Sequence, residues 1–194
     1  MKNTILMTLA MLALTILSAQ ASSSVKNLNA NTGSSSVKWV GTKVTGKHWG
    51  DIKVKSGKLA LDGEKIKSGS IEIDMTSITV DPKDLQGEWA TKLINHLKND
   101  DFFSVNKYKT SKFDITSAKK LSKGTYEVEG NLTIKDITKK QKVKLQRKGN
   151  SFSGKLVFDR TDYNIRYGSG KFFSDLGDKM IHDKVSLDLN IKFN

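Results

Sequence analysis

Apolar and polar residues alternate along much of this chain, and a central segment shows the pattern clearly. From Tyr126 to Ile134 every second residue is apolar or glycine, and the residues between them are polar. This period of two is typical of a β-strand with one apolar face and one solvated face. A charged stretch around Asp136 interrupts the pattern, which resumes at Val143 and Leu145. The segment therefore predicts two antiparallel strands joined by a charged turn.

The same alternation recurs on both sides of this pair, and turn residues such as Asp62-Gly63 separate the segments. We therefore predict an all-β fold, an extended antiparallel barrel of about eight strands. With eight strands a closed barrel holds either packed side chains or one small ligand, and the pattern leaves both alternatives open. The further strand-like segments are residues 37–45, 52–61, 70–80, 112–116, 151–160 and 184–193.

One segment departs from the strand pattern and predicts a short amphipathic helix. Beyond Pro82, the single proline of the chain, Trp89, Leu93 and Leu97 recur at every fourth residue. This spacing places them on one stripe of a helix over about residues 84–98. A single helix in a chain of strands is expected to cover the open end or the side of the barrel.

The N-terminal residues have the pattern of an export signal. Lys2 precedes an apolar run over residues 5–17, and Ala19-Gln20-Ala21 matches the small-x-small pattern that signal peptidase accepts. Residues 1–21 are therefore predicted to be a signal peptide cleaved near Ala21, which places the mature protein in the periplasm or outside the cell. The alternative is an uncleaved N-terminal membrane anchor, for which the apolar run is short.

Composition is consistent with one globular domain behind this signal. Residues 22–35 are rich in Ser and Asn and predict a flexible leader, so the barrel domain is expected over residues 36–194. The fractions of hydrophobic residues, 37%, and of charged residues, 27%, are ordinary for a single domain. The chain has no cysteine, which excludes a disulfide framework, a thiol nucleophile and a thiolate metal site.

Positive charge suggests an alternative function. The chain has 33 Lys and Arg against 20 Asp and Glu, a formal net charge of +13, and many of the cations lie between Lys135 and Lys148. The alternative is a basic surface-interaction module that binds an anionic membrane or another polyanion without a lumenal ligand. Nucleic acid is not an expected partner, because aromatic residues do not alternate with these lysines and the signal peptide directs the protein out of the cytoplasm.

No catalytic or metal-binding pattern is recognisable in the sequence. His48, His96 and His182 lack the spacing of metal ligands, and the sequence contains no nucleophile elbow and no phosphate-binding loop. We therefore predict a protein that is not an enzyme, with no catalytic residue, no metal site and no cofactor. The remaining alternative is an undetected enzyme that uses His96 or His182.

Three motifs, in order along the chain, resemble the signature motifs of the YceI-like family. Together they identify the segment from Val37 to Phe193 as similar to that family. Lys109 and Asp136 depart from the family pattern, where proline and glycine are common, and both are expected to lie in turns. The three segments are HLKNDDFF at residues 96–103 with Tyr108 after it, GNLTI with ITK at residues 130–139, and FDRTDYNI at residues 158–165.

The resemblance implies a lipocalin-like barrel in the periplasm whose apolar lumen binds a long isoprenoid, a quinone-type lipid or another amphiphile. Burial of a hydrocarbon tail contributes about 0.8 kcal/mol per methylene, and it needs no catalytic group. A bound polyisoprenoid or quinone would be the ligand of such a protein and not a cofactor. The expected partners are this lipid and, weakly, an anionic membrane surface, and a homodimer is left open.

Nine residues are candidates for contact with the ligand, in the lumen or at its mouth. For the aromatic candidates, the alternative is an ordinary place in the barrel core. His96, next to Leu97 near the helix C-terminus, could reach a head group or make a structural hydrogen bond. Arg160 could bind a pyrophosphate or quinone oxygen, or form a salt bridge with Asp159 or Asp162. The aromatic candidates are Trp39, Trp49, Phe102, Phe103, Phe158, Tyr163 and Tyr167.

Overall fold

The computed structural model describes residues 24–194, which contain nine β-strands and one α-helix. The predicted signal peptide, residues 1–21, lies outside these described residues. None of the helices in residues 24–194 has the length and the apolar character needed to cross a bilayer. The elements are β1 (Val25–Asn29), β2 (Ser36–Lys43), β3 (Gly46–Asp62), β4 (Lys65–Asp74), α1 (Gly87–Lys98), β5 (Thr110–Ser122), β6 (Thr125–Ile134), β7 (Ile137–Lys148), β8 (Ser151–Asp159) and β9 (Ile181–Lys192).

The strands form a closed antiparallel barrel. Eight of them follow the order β3-β2-β9-β8-β7-β6-β5-β4, and β4 pairs with β3 to complete the ring. Inward positions alternate with outward positions along the strands, as in β6, where buried and half-buried residues alternate from end to end. The structure thereby confirms the predicted all-β barrel of about eight strands with one short amphipathic helix.

The remaining strand, β1, pairs with a part of β3 that β2 does not reach. β2 pairs with the first half of β3, over Gly46–Ile52, and β1 pairs with the second half, over Lys58–Asp62. Ala30 then forms a bridge with Phe193, just beyond β9. The two short strands β1 and β2 therefore share one position in the ring, between β3 and β9.

The prediction of a flexible leader over residues 22–35 is wrong for the strand that this segment contains. The segment is polar apart from a few residues. Among its described residues, 24–35, the one buried side chain is Leu28, which is 3% exposed and pairs with Leu59 of β3. One buried apolar residue in a Ser- and Asn-rich segment is too short a pattern to predict a strand. The free edge of β3 supplies the hydrogen bonds and the burial that make β1 a strand.

One end of the barrel, called the closed end below, is sealed by short turns and aromatic side chains. Phe152 packs against Tyr126 and Phe193, with ring centroids 6.4 and 5.8 Å apart, and the Tyr126 hydroxyl donates a hydrogen bond to the carbonyl oxygen of Glu64. The turns at this end need backbone conformations that glycine adopts without strain. The glycines with left-handed φ in these turns are Gly63, Gly124 and Gly149.

The opposite end, called the open end below, carries two long excursions of the chain. Residues 75–109 connect β4 to β5 and contain α1, and residues 160–180 connect β8 to β9. The predicted helical stripe is correct for Leu97, which is buried, and wrong for Trp89, which lies in the first turn of α1 and is 69% exposed. The helix residues that pack on the core are Ala90, Leu93, Ile94 and Leu97.

Replacing Leu28 with alanine tests whether β1 belongs to the core. Loss of this buried side chain should lower the free energy of unfolding by about 2–5 kcal/mol. Val25 is the matched control on the same strand, because half of its side chain is exposed, and Val25→Ala should cost less than about 0.5 kcal/mol. Urea unfolding followed by tryptophan fluorescence measures both values, and equally small effects would show that β1 lies outside the folded domain.

Candidate functional site

The barrel encloses an apolar cavity, called the lumen below. Its volume is about 190 Å³, and residues from all eight strands of the ring border it, together with Leu97 of α1. Apolar side chains supply nearly all of the lining. An apolar cavity of about 150 Å³ in another protein stays dry and admits benzene, so a space of this size can hold a hydrocarbon group without water.

The inward side chains do not fill this interior. β9 lies opposite β5 in the ring, and apolar residues on these strands and on β4 and β7 are only half-buried although they line the cavity. In a close-packed core, such residues would be covered by their neighbours. Of the two alternatives that the sequence leaves open, the structure therefore shows the hollow barrel. The half-buried lining residues are Ile71, Ile73, Phe113, Ile115, Leu145, Val185, Leu187 and Leu189.

The polar residues of the lining lie at the open end. Ser111 and Lys112 are the second and third residues of β5, Arg160 follows the last residue of β8, and His182 is the second residue of β9. Toward the closed end the lining is aliphatic and aromatic as far as Phe152 and Phe193. A hydrocarbon chain can therefore occupy the depth of the lumen while a polar head group stays at the open end.

Five of the nine predicted site residues border the lumen. Trp39 also fastens the chain after β4 across the open end, because its Nε1–H donates to the carbonyl oxygen of Thr79 at 2.9 Å. Gly50 makes this approach possible, since a Cβ atom there would collide with the same carbonyl oxygen. The five residues are Trp39, Phe102, Phe103, Phe158 and Arg160.

Trp49 lies on the outer face of the barrel and outside the lining of the lumen. The inward positions of β3 are Gly50, Ile52 and Val54, all of them buried, and Trp49 has the opposite parity. On the outer face the ammonium group of Lys47 lies 5.4 Å from the centre of the indole ring. The sequence pattern predicts a break between residues 45 and 52, whereas β3 is continuous from Gly46 to Asp62. Without a continuous strand, the sequence could not indicate on which face Trp49 lies.

His96 and Tyr167 lie at the mouth, outside the lining of the lumen. The His96 ring meets Phe102 and Tyr167 edge-on, with centroid distances of 5.6 and 4.4 Å. Its Nε2 atom lies 3.2 Å from a carboxylate oxygen of Asp101. The ring of His96 therefore connects α1 to the excursion of residues 160–180. Its contact with Asp101 fits the structural hydrogen bond, which is one of its two predicted roles.

Tyr163 fills a split in the barrel wall. Contrary to the prediction, it does not border the lumen. The β7–β8 ladder ends at the pair of Lys144 and Lys155, so the two strands separate toward the open end. Tyr163 is fully buried, its hydroxyl accepts a hydrogen bond from Gln141 of β7, and its ring packs edge-on against Phe158 of β8 at 5.6 Å. The side chain thus replaces the missing ladder between these strands.

Arg160 directs every N–H of its guanidinium group to the protein itself. The residue is fully buried, and its salt-bridge partner is Asp183 at 3.4 Å, not Asp159 or Asp162 as the sequence alternatives had it. These contacts hold the excursion of residues 160–180 against the start of β9, and they leave no N–H free for a ligand. The acceptors are the carbonyl oxygens of Ile165, Tyr167, Ile181 and His182 and the carboxylate of Asp183.

A second ionic group fastens the same excursion. The buried carboxylate of Asp159 accepts hydrogen bonds from the backbone and the hydroxyl of Thr161 and from Lys171 at 2.7 Å. Burial by itself would raise the pKa of Asp159, but the hydrogen bonds from Lys171 and Thr161 outweigh it and hold the pKa well below its usual value. Lys171 also lies 3.4 Å from Asp183, which joins this group to the contacts of Arg160.

The sequence prediction of the site names aromatic residues and omits most of the lining. Aliphatic side chains such as Val128 and Leu132 of β6 and Leu187 of β9 form the larger part of it. Their signal is present in the sequence as the apolar parity of each strand. It cannot be separated there from the signal of an ordinary core, because only the closed ring shows which inward residues face an empty space.

The basic residues of β7 and β8 form part of the outer wall. Lys142 pairs with Glu129 at 2.7 Å and Lys155 pairs with Asp188 at 3.2 Å. Acidic residues of the neighbouring strands therefore neutralise part of the charge on which the alternative polyanion-binding function depends. Within residues 24–194, no group of three or more His, Cys, Asp or Glu side chains is placed to hold a metal ion.

Comparison with known sequences identifies a family. The family model of the YceI-like domain matches residues 25–193. A UPF0312 protein of Shewanella denitrificans is 25% identical over 124 residues, which cover 59% of this chain and 62% of the relative. The match to the UPF0312 protein of Ectopseudomonas mendocina covers 44% of that relative. The chain thus spans less than two thirds of the length of these curated relatives.

Solved structures share the fold over most of this chain. BcnA of Burkholderia cenocepacia is 21% identical and superposes with a TM-score of 0.67, covering 84% of this chain and 98% of BcnA. A polyisoprenoid-binding domain from Saccharophagus degradans is 11% identical, with a TM-score of 0.55 and coverage of 86% of this chain and 97% of that domain. At these identities the likeness concerns the fold, and in both cases it covers more than four fifths of this chain.

Replacing Asp159 with asparagine should lower the stability in a pH-dependent way. Because folding lowers the pKa of Asp159 below the value of about 3.9 in an unfolded chain, the stabilisation is present above that value. It is lost as the pH falls toward the pKa of the folded protein. The free energy of unfolding of the wild type should therefore exceed that of the variant most at pH 7. This difference in stability should shrink as the pH falls from about 5 to about 2. Urea unfolding at several pH values measures it.

Asp188→Asn is the matched control, because Asp188 also pairs with a lysine but is half exposed on the barrel wall. At pH 7 this substitution should change the free energy of unfolding by less than about 1 kcal/mol. A stability difference between the wild type and the Asp159 variant that stays constant with pH would contradict the role assigned to this carboxylate.

Proposed function

This chain belongs to the YceI-like domain family, and from that premise we propose that it holds the hydrocarbon chain of an amphiphilic lipid, of the isoprenoid or quinone type, in its lumen. The polyisoprenoid-binding domain of the same fold supports this class of ligand. Transfer of the hydrocarbon from water into an apolar space drives the binding, so the function requires no catalytic group.

The observation that carries the proposal is the hollow and almost entirely apolar interior. Inward side chains such as Ile73, Phe113 and Leu187 line it and are only half-buried in the protein alone. A ligand that covers these side chains removes their remaining apolar surface from water, which contributes about 25 cal/mol for each Å². An apolar chain is therefore the natural complement of this interior.

The length of the ligand sets a condition on the lumen. At about 190 Å³, the cavity is comparable with one that admits a benzene-sized group, and a chain of several isoprene units needs more room. The half-buried side chains on the β5 and β9 walls lack close-packed neighbours on their lumenal side, so they can move apart. We therefore expect the affinity to rise with chain length until the widened lumen is filled.

Selectivity should come from the tail of the lipid more than from its head group. Arg160, the buried cation of the lining, has all of its N–H groups bound within the protein. Ser111, Lys112 and His182 remain as the polar residues of the lining that a head group could meet, whereas apolar side chains contact the tail over the whole depth of the lumen. Lipids with similar tails and different head groups are expected to bind with similar affinities.

We also propose that the protein acts outside the cytoplasm, in the periplasm or as a secreted carrier. The support is the N-terminal pattern of residues 1–21, which is typical of a cleaved signal peptide. Outside the cytoplasm, a lumen of this kind would shield the tail of a lipid from water between membranes.

Narrowing the lumen should weaken lipid binding without unfolding the protein. Leu187 of β9 is half-buried and lines the lumen, so Leu187→Trp adds its extra volume to an empty space. The variant should bind a fluorescent polyene fatty acid about tenfold or more weakly, because the side chain occupies the place of the ligand. Leu187→Met is the matched control, since it nearly conserves the volume and should keep the affinity of the wild type.

Titration of the probe into each protein, followed by displacement with polyprenyl alcohols of increasing length, measures these affinities. Circular dichroism and urea unfolding check that both variants fold. Equal probe affinity in the wild type, the Trp variant and the Met variant would show that the lumen is not the binding site.

Export makes a separate prediction about the N-terminus. The exported protein should begin at Ser22, and Ala21→Leu should leave the precursor uncleaved, because signal peptidase requires a small residue before the cut. Ser24→Leu, beyond the expected cleavage site, is the matched control and should be processed normally. Intact-protein mass spectrometry of the exported material distinguishes these outcomes, and a wild-type chain that keeps residues 1–21 would point to the membrane-anchor alternative.

A further inference from the structure

We propose that the open end of the barrel docks onto the surface of an anionic phospholipid bilayer. The contact surface is an aromatic rim, defined as Trp89, Tyr167, Phe172 and Phe173. The rim lies outside the lining of the lumen, and only the purpose of docking, which is the transfer of lipid into and out of the barrel, rests on the function proposed above.

Exposed aromatic side chains are concentrated at this end. Within residues 24–194, the exposed large hydrophobic residues include four aromatic ones, all of them in the rim, with exposed fractions from 44% for Phe172 to 69% for Trp89. The aromatic residues of the closed end, such as Tyr126 and Phe152, are buried. A cluster of exposed rings at one end is typical of a surface that another apolar phase covers.

One contact between the two excursions brings α1 next to the segment that carries the other rim residues. Tyr167 meets the ring of His96 on α1 at 4.4 Å between centroids. Trp89 precedes His96 by two helical turns on the same stripe of α1, about 10 Å along the axis. Phe172 and Phe173 lie in the turn after Tyr167, where both backbone N–H groups donate to the carbonyl oxygen of Ser169. The rim therefore combines one side of α1 with the adjacent excursion.

Cations accompany the aromatic rings of the rim. The ammonium group of Lys92 lies 4.9 Å from the centre of the Trp89 ring, and the guanidinium group of Arg166 lies 4.7 Å from that of Phe172. Lys92 also pairs with the exposed carboxylate of Glu88. Rings that insert at the boundary of the acyl chains, with cations beside them at the level of the phosphates, match the interface region of a bilayer.

Charge decides between a bilayer and a second copy of this chain as the occupant. The formal net charge of the chain is +13, so two copies repel each other, whereas an anionic surface attracts the protein. Docking through the rim also turns the mouth of the lumen toward the bilayer. An anionic membrane surface is therefore the partner whose charge fits the chain as a whole and whose interface region fits the aromatic rim.

The test compares vesicle binding by the processed protein, which begins at Ser22 once the predicted signal peptide is removed, with binding by its variant that carries Phe172→Ser and Phe173→Ser. Co-sedimentation with vesicles of phosphatidylcholine and about a third phosphatidylglycerol should show binding that is about tenfold or more weaker than that of the wild type. The matched control carries Leu121→Ser and Val157→Ser, two exposed aliphatic residues outside the rim, and should bind as the wild type does. Wild-type binding should also weaken at high salt.

Three results would overturn the proposal. One is undiminished vesicle binding by the double-serine Phe variant, and another is an equal loss in the Leu121 and Val157 control. The third is a wild type that does not bind vesicles but forms a dimer, measured by analytical ultracentrifugation, which the Phe variant fails to form. That outcome would assign the rim to a homodimer.

A parallel measurement separates this proposal from the function of the lumen. The Phe172 and Phe173 variant should bind the fluorescent polyene fatty acid with the affinity of the wild type, which also shows that it folds. Leu187→Trp, which narrows the lumen, should keep full vesicle binding. If Leu187→Trp lost vesicle binding while the Phe172 and Phe173 variant kept it, the membrane contact would lie elsewhere. That result would refute the proposed role of the rim.

Discussion

Closure of the ring is the constraint on which the rest of this structure depends. Because β4 pairs with β3, the period-two alternation of eight strands directs every inward apolar side chain toward one shared space. In an open sheet the same residues would need a second layer to cover them. In a closed ring they either meet at the axis or surround a space. The half-buried state of Leu187 and Phe113, on opposite walls, shows that they surround a space.

The same constraint explains the polar networks at the open end. Short turns and aromatic rings seal the closed end, so access to the lumen depends on how the two excursions are held. Arg160 and Asp159 fasten residues 160–180 through contacts within the protein, and Tyr163 closes the gap where β7 and β8 separate. The residues of one sequence motif, FDRTDYNI at residues 158–165, thus build the wall and the mouth and leave the depth of the lumen apolar.

The sequence predicts what strand periodicity controls and misses what depends on tertiary pairing. The alternation in β6 and β9 is strong enough to predict both strands, and with them the barrel. β1 escapes detection, because its one buried residue, Leu28, gains its burial from β3. The role of Arg160 escapes for a similar reason. Its acceptors are mostly carbonyl oxygens up to 22 residues away, which no side-chain pattern reveals.

The central claim, that the lumen holds the hydrocarbon chain of a lipid, is tested most directly by native mass spectrometry of the protein isolated from the cells that produce it. We predict an adduct of defined mass, at about one per barrel, that organic solvent extracts and that lipid extracts of the same cells restore. Repeated isolations that yield only the mass of the bare chain, and a stripped protein that takes up no lipid, would contradict the claim.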